Sequence, residues 1–252
     1  MWTSRFARKV KRGETPTYRL LRALARFAFR PSAPRIPEFL KRPLRFIYTI
    51  RFAVLLPLRA FLQVSYRGPL FQSRCASVGK HLSVATLPWV SGPVEIHIGD
   101  NVSIGGALCI VSGYALEHRP KLIIKDRAEI GPNVLISVGG EVLIEEDARI
   151  SFNCRIFDND NHPRQADLRA KNLPVDPRDV LPVRICRHAW IGNGSHIMKG
   201  VTIGEGAVIG ANSVVISNIP PYCLAMGNPA EVYFRNYGCP SNKTEGVADD
   251  KT

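Results

Sequence analysis

"ICRHAWIGNGSHIMKGVTIGEGAVIGANSVVI", residues 185–216, places an aliphatic side chain at every sixth position. Ile185, Ile191, Ile197, Ile203, Ile209 and Val215 keep this interval without a slip. A strand repeats every two residues and a helix about every 3.6, so neither produces a six. A coil with flat faces does, if each six residues supply one short strand and one turn and three faces complete a coil. The same beat runs upstream through Ile98, Ile104 and Ile110, through Ile124, Ile130 and Ile136, and through Ile144, Ile150 and Ile156. A small residue often stands four places after the aliphatic one, as with Val102, Val134, Ala148, Val201 and Ala207. Gly is frequent directly after it, which predicts a tight corner with positive φ at that position. A β-sandwich would instead show alternation of period two with irregular spacing.

The beat fails once at length, between Ile156 and Ile185. The intervening stretch opens with "FDNDNHPRQ" (157–165) and holds Pro163, Pro174, Pro177 and Pro182 among many Asp and Arg. Long insertions in a compact domain are commonly functional or disordered, and a position between two well-timed coils favours function. Asp and Asn in such a segment also serve as turn formers.

Charge divides the chain. Residues 1–70 hold sixteen of the 34 Lys/Arg and two of the 21 Asp/Glu, a local +14 within a total of +13, so the remainder stands near −1. A cationic arm suits an anionic surface. No zinc, RNA-recognition or helix-turn-helix pattern accompanies it, which argues against nucleic acid. In "RLLRALARFAFR" (19–30), Arg19, Arg22, Arg26 and Arg30 share one helical face and Leu20, Leu21, Leu24, Phe27 and Ala28 the other. Pro31, Pro34 and Pro37 end that helix, and a second is expected after Pro43 with Arg45, Arg59, Gln63 and Arg67 on one face and Arg51 off it. Residues 19–67 are thus a candidate surface for an anionic membrane. The most apolar run, 46–64, contains Arg51, Pro57 and Arg59, which argues against spanning. No apolar run with a small-residue cleavage site follows the basic N-terminus, so no secretory leader is expected. Cys75, Cys109, Cys154, Cys186, Cys223 and Cys239 show no CxxC spacing and read as reduced thiols of a cytoplasmic protein. Residues 236–252 are polar and aperiodic and read as a disordered tail.

The stretch "PVRICRHAWIGNGSHIMKGVTIGEGAVIGANSVVISNIPPYCLAMGNPAEV" (182–232) resembles the closing coils of the hexapeptide-repeat acyltransferases. In detail it is similar to the branch of maltose, galactoside and exopolysaccharide O-acetyltransferases. The resemblance covers roughly 75–235. It implies an all-β fold, a left-handed parallel β-helix working as a homotrimer. The division expected is a basic helical arm (1–70), a hexapeptide-repeat body (71–235) with an active-site loop at 157–184, and the tail.

The implied activity is transfer of an acetyl group from acetyl-CoA to a sugar hydroxyl, in cell-envelope or exopolysaccharide assembly. A lipid-linked glycan acceptor at the inner face of the cell membrane would suit the basic arm. Transfer needs a base to take the hydroxyl proton and a donor for the carbonyl oxygen, but no metal. In the resembled family the catalytic histidine opens this same excursion and precedes a proline, a slot filled here by His162. Asp158 or Asp160 is expected to fix its tautomer by accepting from the other ring nitrogen. Trp190 stands where the family walls the acetyl site. Asn193, Ala211, Ile216 and Ser217 fall where the family holds coenzyme A. Two departures stand out. Ser217 and Glu231 replace basic residues that often meet the cofactor's phosphates, for which Arg235 is the nearest substitute. Gly131 replaces an acceptor-touching Asn. His81, His97, His118, His188 and His196 lack the spacing of the zinc-binding carbonic anhydrases that share the solenoid. A non-catalytic trimeric scaffold, or an acyltransferase for an amino sugar or serine, remains the alternative.

Overall fold

The computed structural model describes residues 9, 12, 15–20, 36–113 and 119–239. Most of the helix expected at 19–30, His118, and all of the expected tail beyond Cys239 lie outside the described residues. Two compact units divide the chain, Met1–Leu55 and Leu56–Thr252.

In the larger unit, successive strands visit three sheets in turn, so every third strand is a neighbour in the same sheet. Glu95–Ile98, Lys121–Ile124, Glu141–Ile144 and Val183–Ile185 belong to the first sheet. Arg149–Ile150, Trp190–Ile191 and Val208–Ile209 belong to the second, and Leu135–Ser137, Arg155–Phe157, His196–Ile197 and Val214–Val215 to the third. The pairing is parallel until the closing strand Ala230–Phe234, which runs antiparallel to Leu224–Gly227. The periodic aliphatics stack in register. Ile104, Ile130, Ile150, Ile191 and Ile209 form one continuous inward column on the second sheet. Ile110, Ile136, Ile156, Ile197 and Val215 form the matching column on the third. All are buried, as are the small residues four places on: Val102, Val134, Ala148, Val201 and Ala207. Shifting one strand by a residue would turn its whole inward set outward, so the columns fix the register.

The corners differ from the expectation for glycine. Positive φ occurs three residues after the inward aliphatic, at Asn101, Asn133, Asn153, Asp147, His188 and Asn212, and at Gly194, Gly200 and Gly206. Asn and Asp tolerate that conformation better than other side chains. The glycine directly after the aliphatic serves close approach instead. A Cβ on Gly99 would lie 2.6 Å from the Asp126 amide nitrogen of the next coil.

The N-terminal helix also departs from expectation. It begins at Glu38 rather than after Pro43, and continues through Pro57, as the expected face of Arg45 and Arg59 requires, to Leu62 with no residue buried. A π-helical turn Gln63–Arg67 and a short helix Gly68–Gln72 follow. Gln63 Nε2 donates to Ser83 Oγ at 2.7 Å and Arg67 to the Ala85 carbonyl at 2.5 Å, while Phe71 is buried in the hydrophobic core. Residues 63–72 are therefore tied to the first coil.

Close approach and φ give opposite expectations at two corner positions. Gly99→Ala should destabilise by about 1–3 kcal/mol through overpacking against backbone. His188→Gly, at φ 59°, should change stability by less than about 1 kcal/mol, because relief of the left-handed conformation offsets added unfolded-state freedom. Urea unfolding of the two variants checks both.

Candidate active site

The excursion leaves the third sheet after Phe157 and rejoins the first at Val183, so it projects from the corner between them. Its first residues are held by the coil below. Asp158 is fully buried. Its carboxylate accepts from the Gly139 and Gly140 amides at 2.6 and 2.7 Å and from Asn159 Nδ2 at 2.7 Å. Its carbonyl accepts from the Leu181 amide at 2.8 Å, which ties the two feet of the excursion together. Burial pushes the Asp158 carboxyl above its usual range, opposed by the Asn159 side chain and the two glycine amides.

Asp160 is engaged elsewhere. Its Oδ2 accepts from Lys199 Nζ at 2.5 Å and lies 3.6 Å from Arg164 Nε. Lys199 also donates to the Asp179 carbonyl at 3.0 Å, and Arg164 pairs with the Asp179 carboxylate at 3.0 Å. Neither aspartate hydrogen-bonds His162, so the expected tautomer-fixing contact is not formed within the chain. The reason is geometric: the backbone amides of Gly139 and Gly140 draw Asp158 inward, and the ammonium of Lys199 draws Asp160 sideways.

His162 itself is exposed and has no hydrogen-bond partner among the described residues. What presents it is a polar cluster the sequence reading did not single out. Asn161 sits at φ 60°. Its amide donates to Asn159 Oδ1 at 2.7 Å, and its own Oδ1 accepts from Ser137 Oγ at 2.6 Å. Asn159 Nδ2 donates to Ser137 at 3.3 Å, and both Ser137 and Asn159 are buried. His162 then borders a cavity of about 320 Å³ whose walls include Asn159, Asn161, Asn172, Leu173, Val175 and Val180. The signal for Ser137 was present: it pairs with Phe157 in the coil below, directly under the start of the excursion.

Trp190 lies on the second sheet, half exposed, with Nε1 donating to Ser151 Oγ at 3.1 Å. It lines a separate groove of about 590 Å³ with Gly131, Pro132, Ser151, Phe152 and Asn193. This groove and the His162 cavity share no lining residue. Asn193 and Ala211 occupy the same corner in successive coils, between the second and third sheets, and the Asn212 amide donates to the Asn193 carbonyl at 2.8 Å. Ile216 and Ser217 follow Val214–Val215 at the next corner, both exposed. Arg235 and Glu231 are exposed at the closing strand. One chain thus brings Trp190, Gly131 and Asn193 together, and leaves His162 apart from them.

Among the described residues, the other histidines are structural or exposed. His97 joins Ser77 and Glu95 at 2.8 and 2.9 Å, and His188 and His196 lie outward.

The geometry separates a structural carboxylate from a surface one. Asp158→Asn places an amide donor against backbone donors and should cost about 1–3 kcal/mol. Asp160→Asn should cost less, because Asp160 is partly exposed and the amide oxygen of Asn can still accept from Lys199. Thermal denaturation of the two variants should show a clear fall only for the first; equal midpoints would contradict the anchoring role of Asp158.

Residues 182–217 match the family model described as bacterial transferase hexapeptide (six repeats). The galactoside O-acetyltransferase of Escherichia coli (strain K12) is 31% identical over 186 residues, covering 69% of this chain and 76% of that one. A probable acetyltransferase of Mycobacterium tuberculosis is 29% identical over 188 residues, 73% of this chain and 56% of that one. Among solved structures, a variant of AntD, an N-acyltransferase from Bacillus cereus in complex with dTDP and coenzyme A, superposes with a TM-score of 0.51 at 21% identity. The match covers 66% of this chain and 87% of that one, and shows a shared fold.

Proposed function

The chain belongs to the hexapeptide-repeat acyltransferase family, and from that premise we propose an acetyl-CoA-dependent O-acetyltransferase that modifies a sugar hydroxyl, with His162 as general base. The observation that carries the site is the placement of His162: exposed, free of partners among the described residues, and held at a cavity by the Ser137–Asn159–Asn161 cluster. The acceptor oxygen attacks the thioester carbonyl while an imidazole nitrogen of His162 takes its proton. The tetrahedral intermediate collapses, the carbon–sulfur bond breaks, and the imidazolium returns the proton to the departing thiolate. An acetyl ester and free coenzyme A result.

Trp190 and Asn193 line the groove where the acyl end would lie, with Ala211, Ile216 and Ser217 along the cofactor's path. Ala211 and Ile216 offer exposed apolar surface at two adjacent corners, which suits the aliphatic part of coenzyme A. Arg235, exposed just past the closing strand, is assigned to its phosphates in this reading. The coil is taken as left-handed and the assembly as a homotrimer, in which His162 of one subunit faces the Trp190 groove of a neighbour. The separation of cavity and groove within one chain supports that reading. The proposal further places the enzyme in polysaccharide or envelope assembly, cytoplasmic and peripheral on the inner membrane face, acting on a saccharide or lipid-linked glycan. The catalytic body spans 71–235 with the loop 157–184. The ties of Gln63 and Arg67 to the first coil favour truncation after Leu62 rather than before Phe71.

Thioester release from acetyl-CoA, measured against nucleotide sugars, lipid-linked oligosaccharides, amino sugars and serine, tests the activity and separates the acceptor classes. His162→Ala should lower the transfer rate by ~10²–10⁴ with circular dichroism and oligomer size unchanged; a near-parental rate would remove His162 from the role.

The shared site makes a second expectation. His162→Ala and Ala211→Trp subunits, each inactive alone, should regain partial activity after subunit exchange. A fully active monomer in sedimentation would overturn the intersubunit site.

A further inference from the structure

The helix Glu38–Leu62 has no buried residue, although the helical run Glu38–Gln72 that contains it is long and apolar enough to cross a membrane by length and composition. At about 100° per residue, Phe39, Phe46, Ile50, Val54 and Phe61 fall on one stripe, and all five are exposed. Lys41, Arg45 and Arg59 fall on the opposite stripe, interleaved with Tyr48, Phe52 and Leu55, which are also exposed. Arg51 stands between, its guanidinium 3.9 Å from the Tyr48 ring centroid and 4.8 Å from that of Phe52.

Three occupants could cover such an apolar stripe. A second copy packed stripe to stripe would cover the apolar side chains but leave Lys41, Arg45 and Arg59 on the outer face, with Glu38 as the one acid of the helix, already paired with Lys41. Such packing gives the cations no partner. Spanning would place Arg51 and Arg59 within hydrocarbon, each at a cost that several apolar residues are needed to recover. An interface satisfies both halves at once: acyl chains take the aromatic and aliphatic stripe, and anionic headgroups take the cations.

We propose that Glu38–Leu62 lies in the plane of an anionic leaflet, with the Phe39–Phe61 stripe among the acyl chains and Lys41, Arg45 and Arg59 at the headgroups. The inference deepens the peripheral location in the reading above and is independent of its acetyl-transfer chemistry. It also assigns the membrane contact to a helix whose downstream residues, Gln63 and Arg67, are tied to the first coil.

The test uses the full chain with vesicles of phosphatidylcholine alone or mixed with phosphatidylglycerol. Sedimentation should require phosphatidylglycerol, weaken at high salt and be reversed by alkaline carbonate. Arg45→Ala combined with Arg59→Ala should lower the partition constant roughly 30-fold, at about fivefold per charge. Phe46→Ser combined with Phe61→Ser should remove binding. Retention through carbonate would show spanning, and sedimentation or self-association indifferent to lipid charge would show packing between copies; either overturns the proposal. Thioester release with a water-soluble acceptor, read on the same variants, keeps the two readings apart. Lost binding with retained turnover supports the docking helix, whereas binding without turnover in the parent chain leaves docking standing and sinks the transferase reading.

Discussion

Parallel stacking in strict register is the constraint from which the rest of the structure follows. Each coil lies on the last at the spacing of neighbouring strands, about 4.8 Å, so a residue in one coil meets its counterpart in the next. Position therefore matters more than local propensity. Inward positions must repeat as Ile or Val because each is the floor of the one above, as along Ile104, Ile130, Ile150, Ile191 and Ile209. Corner positions must repeat as well. One demands absence of a Cβ because the neighbouring backbone is already there, and another, two residues later, demands a left-handed backbone. The hexad is the shortest sequence statement of these requirements.

The same constraint explains where variation is allowed. An insertion within a strand would break every pair above and below it. An insertion at a corner displaces nothing if both feet return to register. The long excursion meets that condition: Phe157 pairs with Ser137, and Val183 pairs with Val142. The feet are joined by the Leu181 amide on the Asp158 carbonyl, and the Asp158 carboxylate closes the gap to Gly139 and Gly140. Desolvating a carboxylate is unfavourable unless its oxygens are met by donors; here three donors meet it. Asp158 thus belongs to the scaffold, and its proximity in sequence to His162 is a consequence of where the loop must be pinned.

Legibility followed the repeat. The coil, its inward residues and the point of interruption could all be read because each coil restates the same rule. The corner chemistry was half legible: glycine after the aliphatic was visible, but spacing alone cannot distinguish a steric requirement from a φ requirement, and only the stacked neighbour of Gly99 decides it. The site was legible for His162 as a position and illegible for its partners. "DND" offers two carboxylates within reach of a histidine in sequence, whereas the competing donors, the amides of Gly139 and Gly140 and the ammonium of Lys199, come from other coils. Ser137 could be placed under Phe157 by counting hexads, but its hydrogen bond to Asn161 could not be read that way. Proline misled at Pro43, after which the helix was expected to begin, because its usual penalty within a helix did not stop a run that starts at Glu38.

Pinning at both feet leaves the middle of the excursion to shape the cavity. Asn172, Leu173, Pro174 and Val175 border the space beside His162. None of these four belongs to a paired strand. Their side chains can change without altering the stacked columns, whereas Ser137, Asn159 and Asn161 cannot change without releasing the turn that carries His162. The molecule therefore separates two tasks along one loop. The residues nearest the coil hold His162 in place, and the residues farthest from it line the cavity beside it. Under the proposed function, acceptor choice is a property of loop side chains on a fixed frame, so that the loop can vary without the repeat being rebuilt.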